Sequence, residues 1–202
     1  MRHASIFPMK IHRFLILPCL AAVLAAKEPA KPVVLIGDSI TNHGDWDKVL
    51  GRTDVLNWGI PGYTTGQLAW TFKDVEREHP EVKIVFLQGG INDLTLGVPA
   101  DRVYQNYVKA IKWWRDHKVT PVVESVILQV NAPDKNADIN SINRRLVAYC
   151  AAHKVDYLNL NSVLSVDGHL RAELSIDGTH LKPPAYKLWA KVVLAELNKL
   201  GS

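Results

Sequence analysis

Apolar residues in this chain follow two alternating patterns. Short runs that are wholly or mostly apolar alternate with longer stretches in which apolar positions recur every three or four residues. Val33–Gly37 has no polar interruption and ends in glycine, the pattern of a strand buried on both faces. The same reading predicts strands at Asp54–Asn57, Lys83–Leu87, Thr120–Leu128 and Val155–Leu160. Helices are predicted at Thr65–Glu78, Ala100–His117, Ala137–His153 and Pro184–Leu200, the last opened by a Pro183-Pro184 pair that a helix start tolerates. Strand and helix in strict alternation imply an α/β fold: a parallel sheet with right-handed crossovers and helices on both faces.

The length of 202 residues fits one such domain with a short appendage. Hydrophobic residues make up 48% and charged residues 22%, which excludes a disordered chain or a disulfide-stapled miniprotein. The appendage is legible at the start. Phe14–Ala26, FLILPCLAAVLAA, follows Arg2, Lys10 and Arg13. It is shorter than the about 20 apolar residues a membrane span needs. A basic leader, a short apolar run and small residues at its end read as a secretory signal over residues 1–26, with Met1 or Met9 as the start. A buried helix is the alternative. A lipoprotein signal through Cys19 is disfavoured by Pro18 before it. Residues 27–32 then form a Lys/Pro/Ala linker and residues 33–202 the domain, in a secreted or periplasmic protein.

Charge changes the picture once the leader is set aside. The whole chain has 24 Lys+Arg against 20 Asp+Glu; removing the leader's 3 leaves 21 against 20. So even a balance gives no footprint for nucleic acid. Cys150 would then be alone, a small buried hydrophobe in a helical stretch rather than a nucleophile.

Four segments sit where chemistry is expected. Gly37-Asp38-Ser39-Ile40 follows the first strand, Asn57-Trp58-Gly59-Ile60-Pro61-Gly62 the second and Gly89-Gly90-Ile91-Asn92-Asp93 the third, while Asp177-Gly178-Thr179-His180 precedes the final helix. In open α/β sheets, ligands bind outside the carboxyl ends of the strands. The four segments would therefore meet on one edge and bring a hydroxyl, an imidazole, an aspartate, a side-chain amide and free backbone N–H groups. Those are the parts acyl transfer needs: nucleophile, base, orienter and oxyanion donors.

In this order the segments resemble the SGNH hydrolases, or GDSL-type esterases and lipases. Gly37–Ile40 looks like the first block of that family, Gly59 like the glycine of the second, Gly90–Asp93 like the third and Asp177–His180 like the last. The resemblance runs from Val33 to Leu200, and is strongest to the small esterases similar to platelet-activating-factor acetylhydrolase, which include carbohydrate deacetylases. It implies a flavodoxin-like three-layer fold with five strands in the order 2-1-3-4-5. It implies Ser39 as nucleophile, His180 as base and Asp177 as its orienter, with Ser39 N–H, Gly59 N–H and the Asn92 side chain as oxyanion donors. Tyr63 departs from close relatives, which carry a small or acidic residue there, and leaves acyl and leaving-group preference open.

Alone, each segment reads as a turn or a helix cap. The G-x-S-x-G elbow of the α/β-hydrolases is absent, since Thr41 occupies its second glycine. His43, Asp45 and Asp47 could be metal ligands but read better as loop residues. His169 is structural, and Trp113-Trp114 is packing. Trp58, Tyr63 and His43 are the candidates for substrate contact, with Trp46 beside them. Asp38 holds the nucleophile loop, and Asp93 fixes the Asn92 loop. The expectation is a serine esterase that takes no cofactor and no metal. It acts on short, most simply acetyl, esters of carbohydrates and has no nucleic-acid partner or stable membrane insertion. A lysophospholipase or thioesterase on the same site, a non-catalytic glycan binder and a flavodoxin-like phosphate binder are the rivals. The last lacks a G-x-G-x-x-G or Walker lysine.

Overall fold

The computed structural model describes residues 32–202, so the leader and nearly all of the linker lie outside the described residues. Chain order is β1 (Val33–Gly37), α1 (Ser39–Asn42), α2 (Trp46–Leu50), β2 (Val55–Gly59), α3 (Thr65–Leu68), α4 (Phe72–Glu78), β3 (Ile84–Leu87), α5 (Ile91–Thr95), α6 (Ala100–Asp116), β4 (Thr120–Glu124), α7 (Pro133–His153), β5 (Asp156–Leu158), α8 (Asn161–Leu164), β6 (Ser165–Val166), β7 (His169–Leu170) and α9 (Pro183–Lys199). Strands β1 to β5 form one parallel sheet in the order β2-β1-β3-β4-β5, as the resemblance implied. All five residues of β1 are buried.

The helices cover both faces. The buried positions of α6 are Val103, Tyr107, Ile111 and Trp114, spaced by three and four so that one stripe faces the sheet. Trp114 is fully buried and Trp113 half-buried, which fits packing. On the other face α9 buries Tyr186, Trp189, Ala190, Val193 and Leu197.

Three differences from the sequence reading have physical causes. The stretch Thr65–Glu78 is not one helix: a 3₁₀ turn at Ala69–Thr71 separates α3 from α4. Strand β4 stops at Glu124, though the apolar run continues. Val126 to Leu128 form a buried loop whose backbone is satisfied by side chains: the Val126 N–H donates to Asn143 Oδ1 and the Leu128 N–H to Asn161 Oδ1. The third is the small hairpin β6–β7, which the pattern did not reveal because its strands are two residues each. It carries His169, whose Nδ1 lies 3.2 Å from Asn136 Nδ2, a structural contact.

Beneath the sheet's carboxyl edge lies an aromatic cluster. Trp46 is buried, with its ring centroid 4.9 Å from Trp189 and 5.8 Å from Tyr186. Its indole N–H donates to the Thr41 carbonyl, so Trp46 is a core residue and does not line a substrate cleft. The Trp189 indole donates to Glu124 Oε1 at 2.5 Å, while Glu124 Oε2 has no partner among the described residues. Burial pushes the Glu124 carboxyl up to about 8.

Folding therefore favours the protonated Glu124. Its contribution is complete below the ordinary carboxyl value and is lost as pH rises through about 8. Denaturant titrations should show stability falling from about pH 5 to about pH 9. Glu124→Gln, which keeps the acceptor for Trp189, should flatten that fall and be the more stable protein at the alkaline end by roughly 2 kcal/mol. Parallel curves for the two proteins would show that Glu124 stays ionised in the fold.

Candidate active site

Ser39 is the first residue of α1, directly after the buried β1. Asp38 caps that helix, its Oδ1 accepting the Ile40 N–H at 2.9 Å. This carboxyl is fully buried, and burial pushes it up to about 6, so it serves the loop and not as an exposed base. The strand can turn this tightly because residue 37 is glycine: a Cβ there would lie 2.0 Å from Thr41 Oγ1.

His180 arrives from the far end of the chain. Its Nε2 is 3.0 Å from Ser39 Oγ, and its Nδ1 is 2.7 Å from Asp177 Oδ2. The same Asp177 carboxylate accepts the backbone N–H groups of Thr179 and His180 through Oδ1, at 3.0 and 2.8 Å. One side chain thus shapes the turn and orients the ring. Hydrogen bonds from His180 hold its carboxyl down to about 2, so it is charged over any ordinary working range. The loop is braced by Ser175, whose Oγ donates to the His180 carbonyl and accepts from the Gly178 N–H. A hydroxyl, an imidazole and a carboxylate in hydrogen-bonded series can move a proton off the hydroxyl and stabilise the resulting imidazolium.

Asn92 follows β3 in α5, and its Nδ2 donates to the Tyr63 carbonyl at 3.0 Å. That bond uses one amide hydrogen and leaves the other. Asp93 is buried and accepts both the Thr65 N–H (2.8 Å) and the Thr65 hydroxyl (2.7 Å). Its anchor is therefore the start of α3 as well as the Asn92 loop. Together the two neighbours fasten the loop after β2 to the loop after β3.

Gly59 does not fit the part expected of it. Its N–H is engaged by Asn57 Oδ1 at 3.0 Å, and a Cβ on it would sit 2.2 Å from the Asn42 backbone nitrogen. Glycine is required there for close packing against α1, not as a free donor. The free donor in that segment is three residues on. Gly62 occupies the exposed turn after Pro61 at φ 81°, and its N–H has no acceptor among the described residues. Sequence reading missed it among the segment's two glycines; the Pro61-Gly62 pair, the signature of a turn with positive φ at its third position, was the available signal. The Ser39 N–H, at the start of α1, likewise has no acceptor among the described residues.

Of the residues expected to meet substrate, His43 is exposed, with its ring 5.3 Å from that of His180. Trp58 and Tyr63 are half-buried and lie on a groove that runs from the β2 loop to α4. Among the described residues no group of three His, Cys, Asp or Glu side chains is placed to hold a metal ion, so His43, Asp45 and Asp47 do not form one. No helix among them is long and apolar enough to cross a membrane. Cys150 is buried, and burial pushes its thiol up to about 12.

Comparison with known proteins places this geometry. A model of the GDSL-like lipase/acylhydrolase family matches residues 35–188. A GDSL-like lipase of Bacteroides thetaiotaomicron VPI-5482 superposes with a TM-score of 0.74 at 22% identity, over 87% of this chain and 93% of that one. An acetyl xylan esterase superposes at 0.67 with 18% identity, over 82% and 99%. Among curated sequences, the N-acylneuraminate cytidylyltransferase of Streptococcus agalactiae serotype V is 29% identical over 104 residues, 51% of this chain. The match spans only 25% of that protein's length.

Proposed function

The chain belongs to the GDSL-like lipase/acylhydrolase family and is a carboxylic ester hydrolase; from that premise we propose that Ser39, His180 and Asp177 are its catalytic residues and that it removes short acyl groups, acetyl foremost, from carbohydrates. The observation that carries the assignment is the unbroken series Ser39 Oγ–His180 Nε2, His180 Nδ1–Asp177 Oδ2. Ser39 Oγ attacks the ester carbonyl as His180 Nε2 takes its proton. The tetrahedral oxyanion is held by the Ser39 N–H, the second amide hydrogen of Asn92 and the Gly62 N–H. His180 then protonates the departing alcohol. Water, deprotonated by the same imidazole, releases the acid from the acyl-enzyme and regenerates Ser39. No step calls for a metal or an organic cofactor.

Support for a short acyl group comes from the surroundings of Ser39. Among the described residues, the connections after β1, β2 and β3 carry no long apolar insertion that could line an acyl tunnel. Support for a sugar comes from names that similar proteins bear, an acetyl xylan esterase and an enzyme of N-acylneuraminate. The apolar run behind a basic leader, Phe14–Ala26, supports export to the periplasm or medium.

Ser39→Ala should keep the unfolding curve of the parent and lower kcat on p-nitrophenyl acetate by about 10⁴-fold or more; an unchanged rate would remove Ser39 from the mechanism. Asn92→Ala should lower kcat about 10²–10³-fold with little change in KM, as expected for a donor aimed at charge that appears only in the transition state. A rise in KM alone would make Asn92 a binding residue. Across p-nitrophenyl esters from two to eight carbons, kcat/KM should fall steadily. A flat or rising series favours the lysophospholipase or thioesterase alternative.

A further inference from the structure

Trp70 is 69% exposed, the one aromatic among the large hydrophobic residues that the described surface leaves open. A single exposed apolar residue is ordinary; its setting here is not. Trp70 is the middle residue of the 3₁₀ turn that interrupts the path from α3 to α4, and the Thr71 hydroxyl ties that turn to the Leu68 carbonyl. Tyr63 packs against the indole edge-on, with ring centroids 6.5 Å apart and planes at 75°. The two rings line a groove that begins at Gly59 and Ile60, at the end of β2, and Tyr63 lies in the loop bonded to Asn92. That groove offers about 450 Å³ of open space, above the about 300 Å³ at which small-ligand sites begin.

Past Trp70 the same side of the groove, along α4, is polar. Arg77 bonds Asp74 at 2.6 Å and Glu78 at 2.9 Å. Two carboxylates around one guanidinium give a rim of net charge −1, which repels uronates and phosphates. The guanidinium already holds both carboxylates, so they are not free to enclose a quaternary ammonium. What remains is a row of mixed donors and acceptors running on from an aromatic plate. A pyranose fits both: its C–H face lies on the electron-rich ring face, and its vicinal hydroxyls accept and donate at the rim.

We propose that this groove is the leaving-group subsite, and that it takes a neutral sugar whose ring stacks on Trp70 with its hydroxyls toward Asp74 and Arg77, the next residues along the groove. The proposal rests on the esterase reading above and adds to it the side of Ser39 on which the sugar lies and the residues that select it.

The test compares Trp70→Ala and Trp70→Phe with the parent on two kinds of ester. Ethyl acetate, with a leaving group too small to reach the groove, should be cleaved within twofold by all three. On acetylated gluco-, xylo- and manno-oligosaccharides, Trp70→Ala should lose at least about tenfold in kcat/KM through KM for one neutral series or more, and Trp70→Phe should recover most of it. Equal loss on both kinds of ester would reduce Trp70 to a structural residue and overturn the proposal, as would no loss on any neutral series. Preference for acetylated polygalacturonate would overturn its neutral character. Calorimetry of Ser39→Ala with the deacetylated oligosaccharides separates the two readings. Binding that Trp70→Ala abolishes, in a protein whose parent cleaves no ester, sustains the subsite and sinks the esterase. Ester cleavage without any Trp70-dependent binding does the reverse.

Discussion

Ser39 sits on a helix of four residues, and a helix that short cannot satisfy its own carbonyls. Much of the surrounding structure answers that shortfall. The Thr41 carbonyl takes the Trp46 indole N–H, and the Ile40 carbonyl takes the Tyr186 hydroxyl at 2.7 Å. Both donors are buried, and both belong to a cluster completed by Trp189. Tyr186 and Trp189 lie on α9, the helix that follows the His180 loop. The groups that cap the Ser39 turn therefore also fix the helix that follows the His180 loop.

The sheet adds a second constraint. Strand β1 is paired on both edges, with β2 on one side and β3 on the other, so the loops that leave its neighbours diverge and open a crevice above Ser39. Two loops border that crevice, and they are tied together by side chains rather than by the sheet: Asn92 to the Tyr63 carbonyl, Asp93 to Thr65. The Asp93 carboxylate is buried with its two donors, so its removal would leave both unsatisfied and the loop after β2 unpinned. A site assembled this way is held from beneath and left open above.

The sheet was readable from the chain because β1, β3 and Pro121–Val123 of β4 are buried and so are written as apolar runs. Ser39, Asp177, His180 and Asn92 were readable because each lies in a short segment at a strand end or before a helix. What escaped had no such mark. An apolar run does not say where its backbone leaves the sheet, and Asn143 and Asn161, remote in sequence, end the ladder after Glu124. Trp46 looks like a cleft residue by its distance from Ser39, yet the Thr41 carbonyl, which also takes the Gly44 N–H, accepts its indole N–H and holds the ring inward. Two glycines three residues apart carry the same symbol; only the positions of Asn42 and Asn57 distinguish the one that is packed from the one whose N–H is free.

Ser39 and His180 are 141 residues apart, and the hydrogen bond between them joins nearly the two ends of the domain. On a ribosome the sheet's first four strands would emerge long before the base does. Until α9 docks, the Ser39 turn lacks its Tyr186 cap as well as the His180 imidazole. On the proposed roles, hydrolysis then waits for two of the long closures in the molecule, Ser39 to His180 and Ile40 to Tyr186. A chain ending before His180 would lack the imidazole that bonds the Ser39 hydroxyl. Turnover of an ester would then be a direct readout of completed folding.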